Sequence, residues 1–201
     1  MLADVVWVIR RFQPDVIITR FSPELADTHG HHTASAQLAV EAFRAAADPT
    51  RFPEQLAHQL HPWQTQRLYW NRSSWGIKPG EDLSKFLSLD VGQYNPLLGL
   101  SYGEMAADSR SMHKSQDFGV ARTRKPIVEY FKLLDKAPAS PALAGGVLNG
   151  IDFSWARVKN SSAVARLVER AARQFVPAAP YKTIPTLLQL NQALDSIHDV
   201  Y

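Results

Sequence analysis

The amino-acid sequence predicts an α/β fold, a sheet flanked by helices, with a helical tail behind it. Three observations carry that reading. An amphipathic run, "LADVVWVIRRF", leads through a Gln-Pro break into a short, nearly continuous apolar strand, "DVIITRF". Helix, turn and buried strand in that order make half of a βαβ unit. A long alanine-rich helix pattern follows, then two further strand patterns. The last third changes character, to two amphipathic stretches joined by "VPAAPYK".

The elements follow in order. Leu2, Val5, Val6 and Ile9 at helical spacing predict the first helix. After the strand and the loop "SPELADTHGHH", a helix runs from Thr28 or His29 to Ala47, with Leu38, Ala42, Ala45 and Ala46 toward the core and Asp48-Pro49 closing it. "QRLYWNRSS" and "SKFLSLDVGQYNP" read as strands separated by the turn-rich "SWGIKPGED". Ser101 and Glu104 form a Ser-x-x-Glu capping box, which opens a helix that ends at Gly119. A short helix is expected from Thr123 to Leu134. The Pro/Ala/Gly-rich "DKAPASPALAGG" then marks a boundary, dividing the chain into residues 1–135 and a linker with helical hairpin at 136–201. Val164, Leu167, Val168, Ala171 and Phe175 share the buried face of that hairpin's first helix.

Composition narrows the chemistry. With 201 residues, 45% hydrophobic and 20% charged, the chain can bury a substantial core. The net charge of +3 is small and its basic residues are scattered, which argues against a nucleic-acid partner. With no cysteine, any metal must be held by His and carboxylate. No apolar run approaches the roughly 20 residues of a membrane span, and the start lacks the pattern of a signal peptide. The compartment stays open.

His29, His31 and His32 stand at the start of the second helix, just past the carboxyl end of a strand, where ligands bind in open α/β sheets. His29 and His32 are three apart and share a face of the first turn, while His31 points aside. The positive end of the helix dipole keeps an imidazole neutral, with its lone pair available to a metal. A catalytic zinc takes three protein ligands, so His29 and His32 alone are insufficient. The same residues can equally be exposed capping residues, and spacing alone leaves both readings open.

The stretch "PDVIITRFSPELADTHGHHTASA", with "AFRAAADPTRFPEQ", "HPWQTQRLYW", "SRSMHKSQDFG" and "EYFKLL", resembles the PIG-L or LmbE-like N-deacetylase family over roughly residues 1 to 135. The likeness is strongest to its large bacterial members. The resemblance implies a Rossmann-like LmbE-type sheet and a zinc-dependent hydrolase that removes an acetyl group from an N-acetylated amino sugar or related amide. It implies that His32 is a zinc ligand. It implies that His29 stabilises the tetrahedral intermediate or protonates the amine, and it leaves His31 standing where many members have Asp. The family's Ala-His-Pro-Asp-Asp motif, which supplies the other ligands and the general base, occurs nowhere in the chain and is expected upstream of residue 1. By that resemblance the catalytic domain reads as incomplete at its amino end and inactive on its own.

The other candidates are weaker. His113 and Gln116 fall on one helical stripe and are expected to face inward. Trp63, Tyr69, Trp70 and Trp75 can stack on a sugar, although core packing explains them better. His58 and His61 flank a Pro-Trp turn at the surface. Arg20 is placed to meet an anionic substrate group, and Asp90 and Asp108 are lone carboxylates. Two other functions compete: a non-catalytic carbohydrate-binding or assembly module that keeps the fold, and a different metallohydrolase that adds Glu24 or Asp27 to the histidines.

Overall fold

The structure, a computed structural model, describes residues 1–24, 29–58, 60–73, 76–140 and 145–197, with only the backbone of His58. It divides into two compact units, residues 1–94 with 101–150 and residues 95–100 with 151–201. Among the described residues no helix is long and apolar enough to cross a membrane.

In the first unit, helix α1 (Leu2–Phe12) ends where Gln13 turns left-handed at φ 55° and donates to the Ile9 carbonyl. Pro14 follows, and strand β1 (Val16–Thr19) runs into helix α2 (Gly30–Ala45). Val6 and Ile9 of α1 pack on Ala42, Ala45 and Ala46, with Ile17, Phe52 and Trp63 around them. The alanines keep the two helices close, so one guanidinium can span the gap. Arg10, 1% exposed, donates to the carbonyls of Ala45, Ala46, Asp48, Arg51 and Phe52 and to the Gln55 side chain. It adds a charged donor to the Ala45 and Ala46 carbonyls at the end of α2, which also accept from the backbone N–H groups of Asp48 and Trp63.

Strands β2 (Arg67–Arg72) and β3 (Leu87–Asp90) come next, then two-residue strands β4 (Tyr94–Asn95) and β5 (Leu100–Ser101), helix α3 (Tyr102–Ser111) and strand β6 (Val128–Lys136). The main sheet has the order β1-β2-β6-β3. Its β1–β2 pair is parallel, with Val16 opposite Arg67 and Thr19 opposite Trp70, whereas β6 is antiparallel to β2 and β3. The protein is therefore mixed α/β, with a mixed sheet flanked by helices. Tyr69, Phe131 and Val147 form a second core cluster, joined by Val16, Leu87 and Leu133.

Three local expectations are corrected. The helix expected from Thr123 to Leu134 is strand β6 instead, because Val128, Tyr130, Phe131 and Leu133 suit a pleated surface and the segment pairs on both sides. Helix α3 stops at Ser111 rather than Gly119. A short 3-10 turn, Lys114–Gln116, follows it, and Asp117 takes the left-handed position at φ 54°. The strand expected over "SKFLSLDVGQYNP" is broken at Gly92, where a Cβ would lie 2.3 Å from the Lys125 carbonyl oxygen. There Asp90 Oδ1 accepts from the backbone N–H groups of Gly92 and Ile127, both at 2.8 Å. The capping box forms as expected, with Ser101 N donating to Glu104 Oε2 at 2.8 Å and Glu104 N to Ser101 Oγ at 3.2 Å.

In the second unit, helices α4 (Ser162–Gln174) and α5 (Ile184–Asp195) form a hairpin. Val164 and Ala171 are its buried positions on α4, and Thr186 Oγ1 donates to Gln174 Oε1 at 2.7 Å.

Candidate functional site

The candidate site begins where β1 stops. Thr19 Oγ1 donates to the Phe21 carbonyl at 3.0 Å, turning the chain out of the strand. Gln37 Nε2 donates to the Pro23 carbonyl at 3.0 Å, tying the outgoing loop to α2. The Phe21 ring meets the start of α2 and stacks on His32 with centroids 3.8 Å apart and planes 6° from parallel. Strand end, loop and helix start are thereby joined around one imidazole.

His29 is the N-cap of α2, in extended conformation, and its side chain makes no capping hydrogen bond. The structure brings all three rings together. The His29 and His32 centroids are 5.3 Å apart, those of His29 and His31 5.5 Å, and those of His31 and His32 4.2 Å. His31 does not point aside, as spacing suggests. In the tight first turn its ring stacks toward His29 and lies edge-on to His32. The His32 pKa is lowered, first by desolvation and then by the neighbouring His31 and His29. A lowered pKa favours the neutral ring, the form in which imidazole binds a metal. Among the described residues no group of three His, Cys, Asp or Glu side chains converges as a metal-holding set.

The remaining candidates are placed as follows. His113 and Gln116 hydrogen-bond each other at 2.9 Å but on the exposed surface, not inward, because α3 ends before them. Trp63 donates Nε1 to the Pro14 carbonyl at 2.8 Å and packs on the helical core. Tyr69 is fully buried, and Trp70 meets Phe86 edge-on at 6.2 Å. Asp108 makes a two-pronged pair with Arg122, and Asp90 serves backbone donors. His61 is exposed, and Glu24 lies 3.5 Å from Lys132 Nζ. Asp27, Trp75 and the His58 side chain lie outside the described residues. A groove of about 470 Å³ lies along the C-terminal half of α2, and its Arg44 and Arg51 are paired with Asp135 and Glu41.

Sequence reasoning missed the partners of Arg20. Its guanidinium bonds Asn71 Oδ1 and Ser73 Oγ, and Asn71 in turn donates to Glu129 Oε2 at 2.8 Å. Only the register of β1, β2 and β6 brings these residues together, so no local signal reveals them.

These features define a mixed α/β protein whose sheet edge carries a histidine-bearing helix start. No family model matches the chain. A stretch of 65 residues is 35% identical to the 1D-myo-inositol 2-acetamido-2-deoxy-alpha-D-glucopyranoside deacetylase of Streptomyces avermitilis, covering 32% of this chain and 20% of that protein. The chain thus spans about a fifth of the length of the curated relative it matches.

Proposed function

We propose that this chain carries the histidine part of a zinc-dependent N-deacetylase site for an N-acetylated amino sugar or a related amide. The observation that supports it is the Phe21-backed His32 imidazole at the start of α2, beside His29 and at the carboxyl end of β1, with its pKa lowered by desolvation and by His31 and His29. The partial likeness to a deacetylase points to the same reaction class. In that reaction water adds to the acyl carbon, the C–N bond breaks, and the amine leaves with a proton.

His32 fits one ligand position, and donors beyond the histidines have to complete the set. Zinc, when bound, supplies Lewis acidity. His29, 5.3 Å from His32 between ring centroids, is the group that delivers the proton to the departing nitrogen. The second reading is a non-catalytic carbohydrate-binding or assembly module that keeps the fold and needs none of these ligands.

Zinc titration of the full chain, followed by release of free amine from N-acetylglucosaminides, tests the first reading. Zinc uptake that His32→Ala weakens supports it. Uptake unchanged in that variant overturns it.

A further inference from the structure

A second polar group stands at the same end of the sheet as the histidines. Arg20 follows β1, Asn71 and Ser73 close β2, and Glu129 opens the antiparallel β6, so all four meet at the carboxyl end of the parallel pair. Arg20 Nη1 donates to Asn71 Oδ1, and Nη2 donates to Ser73 Oγ at 2.9 Å. Asn71 Nδ2 donates to Glu129 Oε2 at 2.8 Å and to the Tyr130 carbonyl at 3.3 Å. Arg20 Nη1 lies 3.7 Å from the same Glu129 oxygen.

Burial within this group is uneven. Asn71 and Ser73 are buried, whereas the Arg20 side chain is 48% exposed and that of Glu129 15%. Two buried neutral groups thus hold a cation and a carboxylate side by side, facing outward. Among the described residues, Arg20 Nε and Glu129 Oε1 have no hydrogen-bond partner. Two residues before Arg20 on β1, and so on the same side of the strand, Ile18 is 50% exposed.

Charge decides which molecule suits it. An anion drawn to Arg20 meets the Glu129 carboxylate within 4 Å, and a cation drawn to Glu129 meets the guanidinium. A hydroxyl group both donates and accepts, so two adjacent hydroxyls satisfy both partners without bringing a charge. The guanidinium presents donors only and the carboxylate acceptors only, which fits such a pair. The C–H face of a saturated ring covers Ile18 at the same time.

We propose that Arg20 and Glu129, held in place by Asn71 and Ser73, form a subsite for adjacent hydroxyl groups of a neutral ring polyol, a hexopyranoside or a cyclitol. The subsite rests on the sugar-deacetylase reading for its place in a reaction, and it assigns Arg20 to a neutral hydroxylated group rather than an anionic one.

Saturation-transfer NMR on the full chain tests it, with myo-inositol and methyl N-acetylglucosaminide as neutral probes and inositol 1-phosphate and glucosamine as charged ones. Transfer to a neutral probe is expected, with affinity about tenfold weaker in Arg20→Ala and in Glu129→Ala, the size of a lost hydrogen bond to a charged group. If Glu129→Ala does not fold, Arg20→Ala at its half-exposed position decides alone. No transfer to either neutral probe, stronger transfer to a charged probe, or affinity unchanged in Arg20→Ala overturns the subsite. Zinc uptake at His32 is read separately. Uptake unchanged in His32→Ala beside intact polyol binding removes the deacetylase reading and leaves the subsite, and the reverse result removes the subsite alone.

Discussion

Phe21 lies flat against His32, ring centroids 3.8 Å apart, so the residue that leaves β1 and the residue in the first turn of α2 share one face. The contact fixes the ring plane of the proposed ligand and shields one side of it from water. Replacing Phe21 with Leu keeps the bulk and removes the flat partner. The expected outcome is loss of the ring-current shift on the His32 ring protons, seen by NMR. Any zinc affinity is expected to fall about tenfold, the usual effect of removing a group that orients a ligand. An unchanged His32 spectrum would show that the stack does not persist in solution.

Arg10 ties α1 to the end of α2 and the turn behind it. Its donors reach five backbone carbonyls and one side chain across the α1–α2 contact, and they do so while buried. Arg10→Met preserves the apolar stem but removes all of these charge-assisted hydrogen bonds at once. A loss of about 3 kcal/mol or more is expected, since each hydrogen bond to a charged group contributes about 1.5–3 kcal/mol. Arg10→Lys recovers part of it, because an ammonium has three donors in place of the five-donor fork. Urea unfolding followed through the Trp63 region measures both, as a shifted midpoint at unchanged slope.

The helices were legible because their signals are local. Helical spacing marked α1, α2 and α4, and the Ser101–Glu104 box marked the start of α3. Strand β6 was not legible, since "VEYFKLLDK" mixes strand and helix formers and its state is decided by partners on both sides. The site divides the same way. His29 and His32 stand out in the sequence as one helix start. The Arg20 group does not, because Asn71 is 51 residues from Arg20 and Glu129 another 58 from Asn71. The Phe21 stack depends on a loop path that no residue pattern encodes.

Gly92 sits where β3 hands over to β4, and a Cβ there would stand 2.3 Å from the Lys125 carbonyl oxygen and 2.8 Å from the Ile127 nitrogen. Both obstacles are backbone, so neither can swing away. Gly92→Ala is expected to cost about 1–3 kcal/mol, the range for forcing extra volume into a packed place. It is also expected to weaken the paired bonds from Gly92 and Ile127 to Asp90, which faster exchange of those two amides would reveal. Equal exchange and equal stability would mean the two backbones part without cost.

Glu104 carries the clearest dependence on acid. Its pKa falls from an ordinary 4.5 to about 2, first through the Arg124 hydrogen bonds and then through the Ser101 backbone N–H. Arg124 Nε and Nη2 hold the two carboxylate oxygens at 3.0 and 3.1 Å, and Ser101 N lies 2.8 Å from one of them. The folded state therefore binds the proton less readily than the unfolded chain. The stabilisation is present in full above pH 4.5 and is lost as the pH falls toward 2. In Glu104→Gln that dependence disappears. Its melting temperature is expected to lie below that of the parent at pH 6 and to approach it near pH 2. Ser101→Ala removes the other half of the cap and is expected to cost about 1 kcal/mol while leaving the Arg124 contribution to the acid slope. Thermal melts of the three proteins between pH 6 and 2.5 separate cap from ion pair, and parallel curves for parent and Glu104→Gln would show that this carboxylate does not set the acid response.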